Sequence, residues 1–153
     1  MSDFSYEIGS DNIAVIKWDV PNKKFNVLTI EGIDEIEKIL DELFENNGLK
    51  GVIITSNKDN FSAGMDLNVL AHLQDQSKNK EEIFQFVMRA HKFLRKIELG
   101  GTDTNTKKKA IPFVWACNGL SAGIATEIGL ACHHRICLLY TSPSPRDEGV
   151  SRM

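Results

Sequence analysis

Two apolar runs without polar alternation, GVIIT (51–55) and AIPFVWAC (110–117), constrain this chain more than any other feature. Each leads through a stretch nearly bare of large side chains into a helix-forming segment. The first stretch is Ser62-Ala63-Gly64-Met65, and the second is Asn118-Gly119-Leu120-Ser121-Ala122-Gly123 before Ile124-Ala125. A strand without alternation is covered on both faces, as in a parallel sheet packed under helices. The chain must therefore fold as layers, with bare corners where strands turn into helices.

The remaining segments fit that frame. YEIGSDNIAVIKWD reads as a hairpin, with Gly9, Ser10, Asp11 and Asn12 at its turn. From Thr29, the apolar residues Ile33, Ile36, Leu40, Leu43 and Phe44 recur at helical spacing, and Asn46-Asn47-Gly48 stop the pattern. A short helix is expected over 66–72. A longer one is expected over 81–98, with Ile83, Val87, Ala90, Leu94 and Ile97 on one stripe. After the second corner come a helix over 122–132 and a third strand in HHRICLL. The order β-β-α-β-α-α-β-α-β is that of an α/β protein, with crossovers long enough for parallel pairing.

Composition narrows the function classes. Of 153 residues, 42% are hydrophobic and 25% charged, as in a globular protein, and the net charge of −3 gives no reason to expect nucleic-acid binding. No apolar run approaches the roughly 20 residues that span a bilayer, and the N-terminus has no secretory pattern. The cysteines at 117, 132 and 137 form no disulfide framework, which fits a reduced compartment. Cys132, His133, His134 and Cys137 lack the spacing of paired zinc hooks, so no metal site is expected. Trp18 and Trp115 read as core.

The corners admit two readings. Close packing of helix on strand favours Gly and Ala. Close approach of a ligand to the backbone favours them too, because a helix N-terminus carries unpaired N–H groups and a partial positive charge. Two such corners side by side would aim two donors at one point, the geometry that stabilises an oxyanion.

FSAGMDL (61–67) and NGLSAGIATEIGLACHHRI (118–136) together resemble the crotonase superfamily, the enoyl-CoA hydratases and isomerases. PNKKFNVLT (21–29) is similar to that family's N-terminal CoA-binding stretch, and KGVIITSNKDNFSAGMDLNVL (50–70) to its first oxyanion strand and helix. The similarity runs from about Ile13 to Ile136. It is strongest to the hydratase part of multifunctional fatty-acid oxidation proteins. The resemblance implies a crotonase-like (ClpP/crotonase) α/β fold, N-terminal part only, with a parallel-rich sheet flanked by helices.

It also implies roles. The backbone N–H groups of Met65 and Ile124 would hold the thioester oxygen of an acyl-CoA, and Glu127 would be the first catalytic glutamate, holding water as general base. Lys23, Lys24 and Phe25 would border the CoA, and Ala63, Gly64, Asp66, Leu67 and Gly123 would lie along its path. The implied reaction is hydration of 2-enoyl-CoA in β-oxidation. CoA enters as part of the substrate, and no separate cofactor is implied. Isomerisation or thioester hydrolysis are the alternatives within the family; an inactive acyl-CoA-binding fragment is the alternative outside catalysis. The parent protein is expected to be a homo-oligomer or part of a multifunctional β-oxidation enzyme; whether a dehydrogenase domain follows is left open by the sequence. Its compartment is the cytoplasm if bacterial, or the mitochondrion or peroxisome if eukaryotic.

The sequence departs from the family pattern in three places. Ile124 stands within the family's usual glycine run, where a β-branched residue restricts the backbone. The hydratases' second glutamate has no match; Asp147 falls at a similar spacing in dissimilar surroundings. From Cys137 onward, CLLYTSPSPRDEGVSRM resembles translated sequencing adapter. The expected division is a partial crotonase-like domain over 1–136 and a non-native tail over 137–153.

Overall fold

A computed structural model describes residues 2–74, 80–102 and 109–138. Asp147 and most of the expected tail lie outside the described residues. The elements are β1 (Phe4–Ile8), β2 (Ile13–Trp18), α1 (Ile30–Glu45), β3 (Gly51–Ser56), α2 (Leu67–Gln74), α3 (Lys80–Glu98), β4 (Phe113–Asn118), α4 (Ile124–Ala131) and β5 (His134–Leu138). Their order and type agree with the sequence reading.

The strands form one sheet in the order β1-β2-β3-β4-β5. The β1–β2 hairpin is antiparallel, and every later pairing is parallel. Register is tight at the hairpin: Gly9 N–H donates to the Ile13 carbonyl at 2.9 Å, and Asn12 N–H to the Gly9 carbonyl at 3.0 Å. β4 starts at Phe113, later than the apolar run suggests. Pro112 has no N–H to give to a ladder, so it contributes only its carbonyl, which accepts from Val52 N–H at 2.9 Å.

Thr29 caps α1 by accepting from Gly32 N–H at 2.9 Å, which satisfies one orphan donor of the first turn. The buried stripe of α1 includes Ile33, Ile36, Ile39, Leu40 and Leu43. α3 lies beside α1 and is laced to it by charge: Arg89 reaches Asp34 at 2.5 Å and Glu37 at 2.6 Å, and Lys96 reaches Asp41 at 2.5 Å.

An aromatic column runs beneath the corners. Phe4 stacks on Trp18 at 5.1 Å between centroids, Phe61 meets Trp18 edge-on at 6.0 Å, and Phe61 meets Trp115 at 5.1 Å. All four rings are buried. Gly129 lets α4 lie directly on this column, since a Cβ there would fall 2.5 Å from the Trp115 ring. Burial pushes the thiols up, Cys117 to about 11 with Cys137 beside it and Cys132 to about 12, so both are unreactive packing groups. His133 precedes β5 and is not a strand residue; its Nδ1 accepts from Phe113 N–H at 3.1 Å. Two apolar residues near the C-terminal edge remain exposed, Leu130 on α4 and Ile136 on β5.

Candidate active site

The two bare corners touch. A Cβ built on Gly64 would lie 2.9 Å from the Ala122 carbonyl oxygen and 3.7 Å from the Gly123 Cα. Gly64 has φ +98° and Gly123 φ +53°, conformations that L side chains rarely adopt. Both glycines are therefore required by backbone shape, and Gly64 by space as well.

Short bridges hold the corners in place. Leu28 N–H donates to the Gly64 carbonyl at 2.8 Å, and Asp66 N–H donates to the Leu28 carbonyl at 3.0 Å. These bonds flank Met65, whose own N–H is left facing the other way. Ser62 N–H donates to the Leu120 carbonyl, and Ala122 N–H to the Ser62 carbonyl, both at 3.1 Å. Gly123 caps α4 without a side-chain bond, so Ile124 opens the helix with an N–H that the helix cannot use. Among the described residues, neither Met65 N–H nor Ile124 N–H has a protein acceptor.

Both residues line one cavity of about 470 Å³. Ala63, Gly64, Leu67, Gly123 and Glu127 line it as well. Its far wall comes from α2 and α3: Leu70, Leu73, Phe86, Val87, Ala90, His91 and Leu94. The wall is mainly apolar, with Glu127 and His91 as its titratable groups. Glu127 lies in the first turn of α4, its N–H donating to the Gly123 carbonyl at 3.2 Å, and its carboxylate has no hydrogen bond or ion pair among the described residues. The Ile124 side chain is packed into the core, so its β-branch is absorbed in packing while its N–H stays at the cavity.

The expected CoA-bordering residues divide into groups. Lys23 and Asp66 form an ion pair at 2.8 Å and line a separate cavity of about 390 Å³ with Thr29, Ile30, Glu31, Asn68 and Val69. Asp66 also accepts from Asn68 N–H at 2.8 Å, capping α2. The Lys23 ammonium and this N–H hold its carboxyl below the ordinary value of 3.8. Lys24 is exposed, with its ammonium 5.6 Å from the half-buried Phe25 ring; neither residue is in the wall of either cavity.

Sequence reading missed Asn26, which is fully buried beneath the first corner. Its Nδ2 donates to the carbonyls of Trp18 and Phe61 and to Ser56 Oγ, each at 2.9 Å, while its Oδ1 accepts from Val20 N–H at 2.9 Å. Its carbonyl accepts from Ser62 Oγ and Ala63 N–H, both at 2.9 Å. Ser62 Oγ in turn accepts from Gly64 N–H at 3.1 Å. An asparagine in a polar loop gives no sequence signal for this role. The α2 and α3 wall was also missed, because the helical stripe identifies a buried face without saying what it faces. Among the described residues no cluster of His, Cys, Asp and Glu is gathered to hold a metal ion, and no helix is long and apolar enough to cross a membrane.

The fold is that of several solved enoyl-CoA hydratases. The one from Thermoplasma volcanium matches with a TM-score of 0.71 at 20% identity, over 90% of this chain and 48% of its own. Those from Shewanella pealeana and Bacillus anthracis match with TM-scores of 0.74 and 0.69 at 18% and 24% identity. They cover 88% and 89% of this chain, and 46% and 47% of theirs. The chain thus spans about half the length of these structures and corresponds to part of a crotonase-like domain. The family model described as enoyl-CoA hydratase/isomerase matches residues 9–138, and the chain belongs to that family, within the crotonase superfamily.

Proposed function

We propose that the chain carries the thioester-binding half of an enoyl-CoA hydratase of fatty-acid oxidation, which adds water to 2-enoyl-CoA. What supports this reading is that Met65 and Ile124, whose N–H groups have no protein acceptor among the described residues, line one mainly apolar cavity together with Glu127. Fatty acyl groups suit such a wall. Glu127 holds a water and takes its proton as the water oxygen bonds to the β carbon. The displaced π electrons spread through the α carbon onto the thioester oxygen, where the two N–H groups stabilise the charge. Each such donor contributes roughly 3–4 kcal/mol in other enzymes. Protonation of the α carbon completes the 3-hydroxyacyl product. CoA arrives with the substrate, and the scheme uses no other cofactor.

The test is incubation of the chain with 2-butenoyl-CoA, following loss of the conjugated thioester absorbance and identifying the product by mass. A product heavier by one water is expected, and Glu127→Gln should lower turnover about 100-fold or more with thioester affinity retained. A shifted double bond would move the chain to the isomerases, and free CoA to the thioester hydrolases. Absence of turnover in the wild-type chain would overturn the hydratase reading.

A further inference from the structure

The apolar wall of the cavity is longer than a short acyl group needs. α3 carries two apolar faces: Phe93 and Ile97 are buried in the core, while Phe86, Val87, Ala90 and Leu94 line the cavity, with the exposed His91 beside them. From Phe86 to Leu94 this lining runs about 12 Å along the helix at its ordinary rise per residue. On α2, Leu70 and Leu73 stand three apart and so share a helix face. Leu70 and Val87 are 40% and 44% exposed, so part of the wall is open to water. Contiguous apolar surface left open beside polar groups marks a binding groove. An extended chain advances about 1.2 Å per bond, so a wall of about 12 Å matches a tail of up to about ten carbons. We infer that the site is built for thioesters of medium chain length, about eight to twelve carbons, whose tail lies along α2 and α3.

The inference rests on the hydratase reading, which sets the thioester oxygen at Met65 and Ile124 and the β carbon near Glu127. In a 2-butenoyl group only a methyl lies beyond the β carbon, and most of the wall from α2 and α3 would stay uncovered. A longer tail continues from that point over Leu70, Leu73, Val87 and Ala90. It removes apolar surface of the tail and of the wall from water together, and each methylene buried in this way tightens binding about fourfold. A polypeptide segment laid on the same wall would close it instead, and affinity would then be indifferent to tail length.

The test measures affinity by calorimetry for butanoyl-, hexanoyl- and octanoyl-CoA, saturated thioesters that bind without being hydrated. Affinity should rise about threefold to fourfold per methylene, and so about 100-fold from butanoyl to octanoyl. Leu70→Gln and Val87→Gln should each lower the octanoyl-to-butanoyl ratio about tenfold, because an amide replaces apolar wall under the tail. Leu130→Gln, at an exposed leucine outside the cavity, should keep the wild-type ratio, and thermal melting checks that each variant folds. A flat series, or a ratio that survives both wall substitutions, would overturn the tail track, while hydration of 2-butenoyl-CoA by the same chain would leave the hydratase reading standing. A ratio lowered equally by Leu130→Gln would assign the gain to unspecific apolar contact and overturn the track as well. A graded series sensitive to both wall substitutions, without hydration of 2-octenoyl-CoA, would overturn the hydratase reading and leave the tail track in place.

Discussion

The two corners meet but are built in opposite ways. The Gly64–Met65 corner is tied from below by the fully buried Asn26, by Ser62 and by the Leu28 bridge, and its helix is capped by Asp66. The Gly123–Ile124 corner leans on the first through Ser62 and opens its helix with no side-chain cap. In the proposed donor site this difference separates two requirements. One corner supplies position through a dense network, and the other supplies unpaired N–H groups at a helix N-terminus, where the helix dipole favours negative charge. A serine or aspartate at position 123 would be strained by the φ of +53°, and its capping oxygen would occupy the donors.

Substitutions in the two corners should therefore differ in scale. Asn26→Ala should have the largest effect, about 4 kcal/mol in urea unfolding, because it strands Val20 N–H and the Phe61 carbonyl and removes one of the two donors to the Trp18 carbonyl. Gly64→Ala follows at about 3 kcal/mol, combining an unfavourable φ with a Cβ 2.9 Å from the Ala122 carbonyl. It should also separate the corners and abolish measurable turnover. Gly123→Ala should cost only about 1–2 kcal/mol, since its Cβ meets nothing closer than 3.8 Å and only the φ is strained. Equal losses at 64 and 123 would mean that the corners are not built differently.

The smallest effect is expected at the Lys23–Asp66 pair. Lys23→Met should cost less than about 1 kcal/mol, since Lys23 is nearly half exposed. Its signature lies in pH. The Asp66 carboxyl is held below 3.8, so the stability it contributes is present above the unfolded-state value and is lost as pH falls through the folded one. Lys23→Met should move the Asp66 midpoint upward in carboxyl-detected NMR and flatten the acid limb of stability. An unmoved midpoint would assign the lowering to the Asn68 cap alone.

The sequence displayed the parts of this arrangement that are local. Apolar runs without alternation marked β3 and β4, helical spacing marked α1 and α3, and small residues marked both corners. What stayed hidden depends on contacts between distant segments. The Asn26 side chain bonds to groups up to 35 residues away, and Lys23 meets Asp66 across 43 positions. The roles of Met65 and Ile124 were suggested by family resemblance, since a backbone N–H leaves no mark in residue type.

The central claim is that Met65 N–H and Ile124 N–H serve one acceptor. Its most direct test is an amide NMR titration of the 15N-labelled chain with 2-butenoyl-CoA. The account predicts that both amide protons move downfield together, along one saturation curve, as the thioester oxygen takes them up. A thioester that binds while one or both of these amides stay unmoved would contradict it.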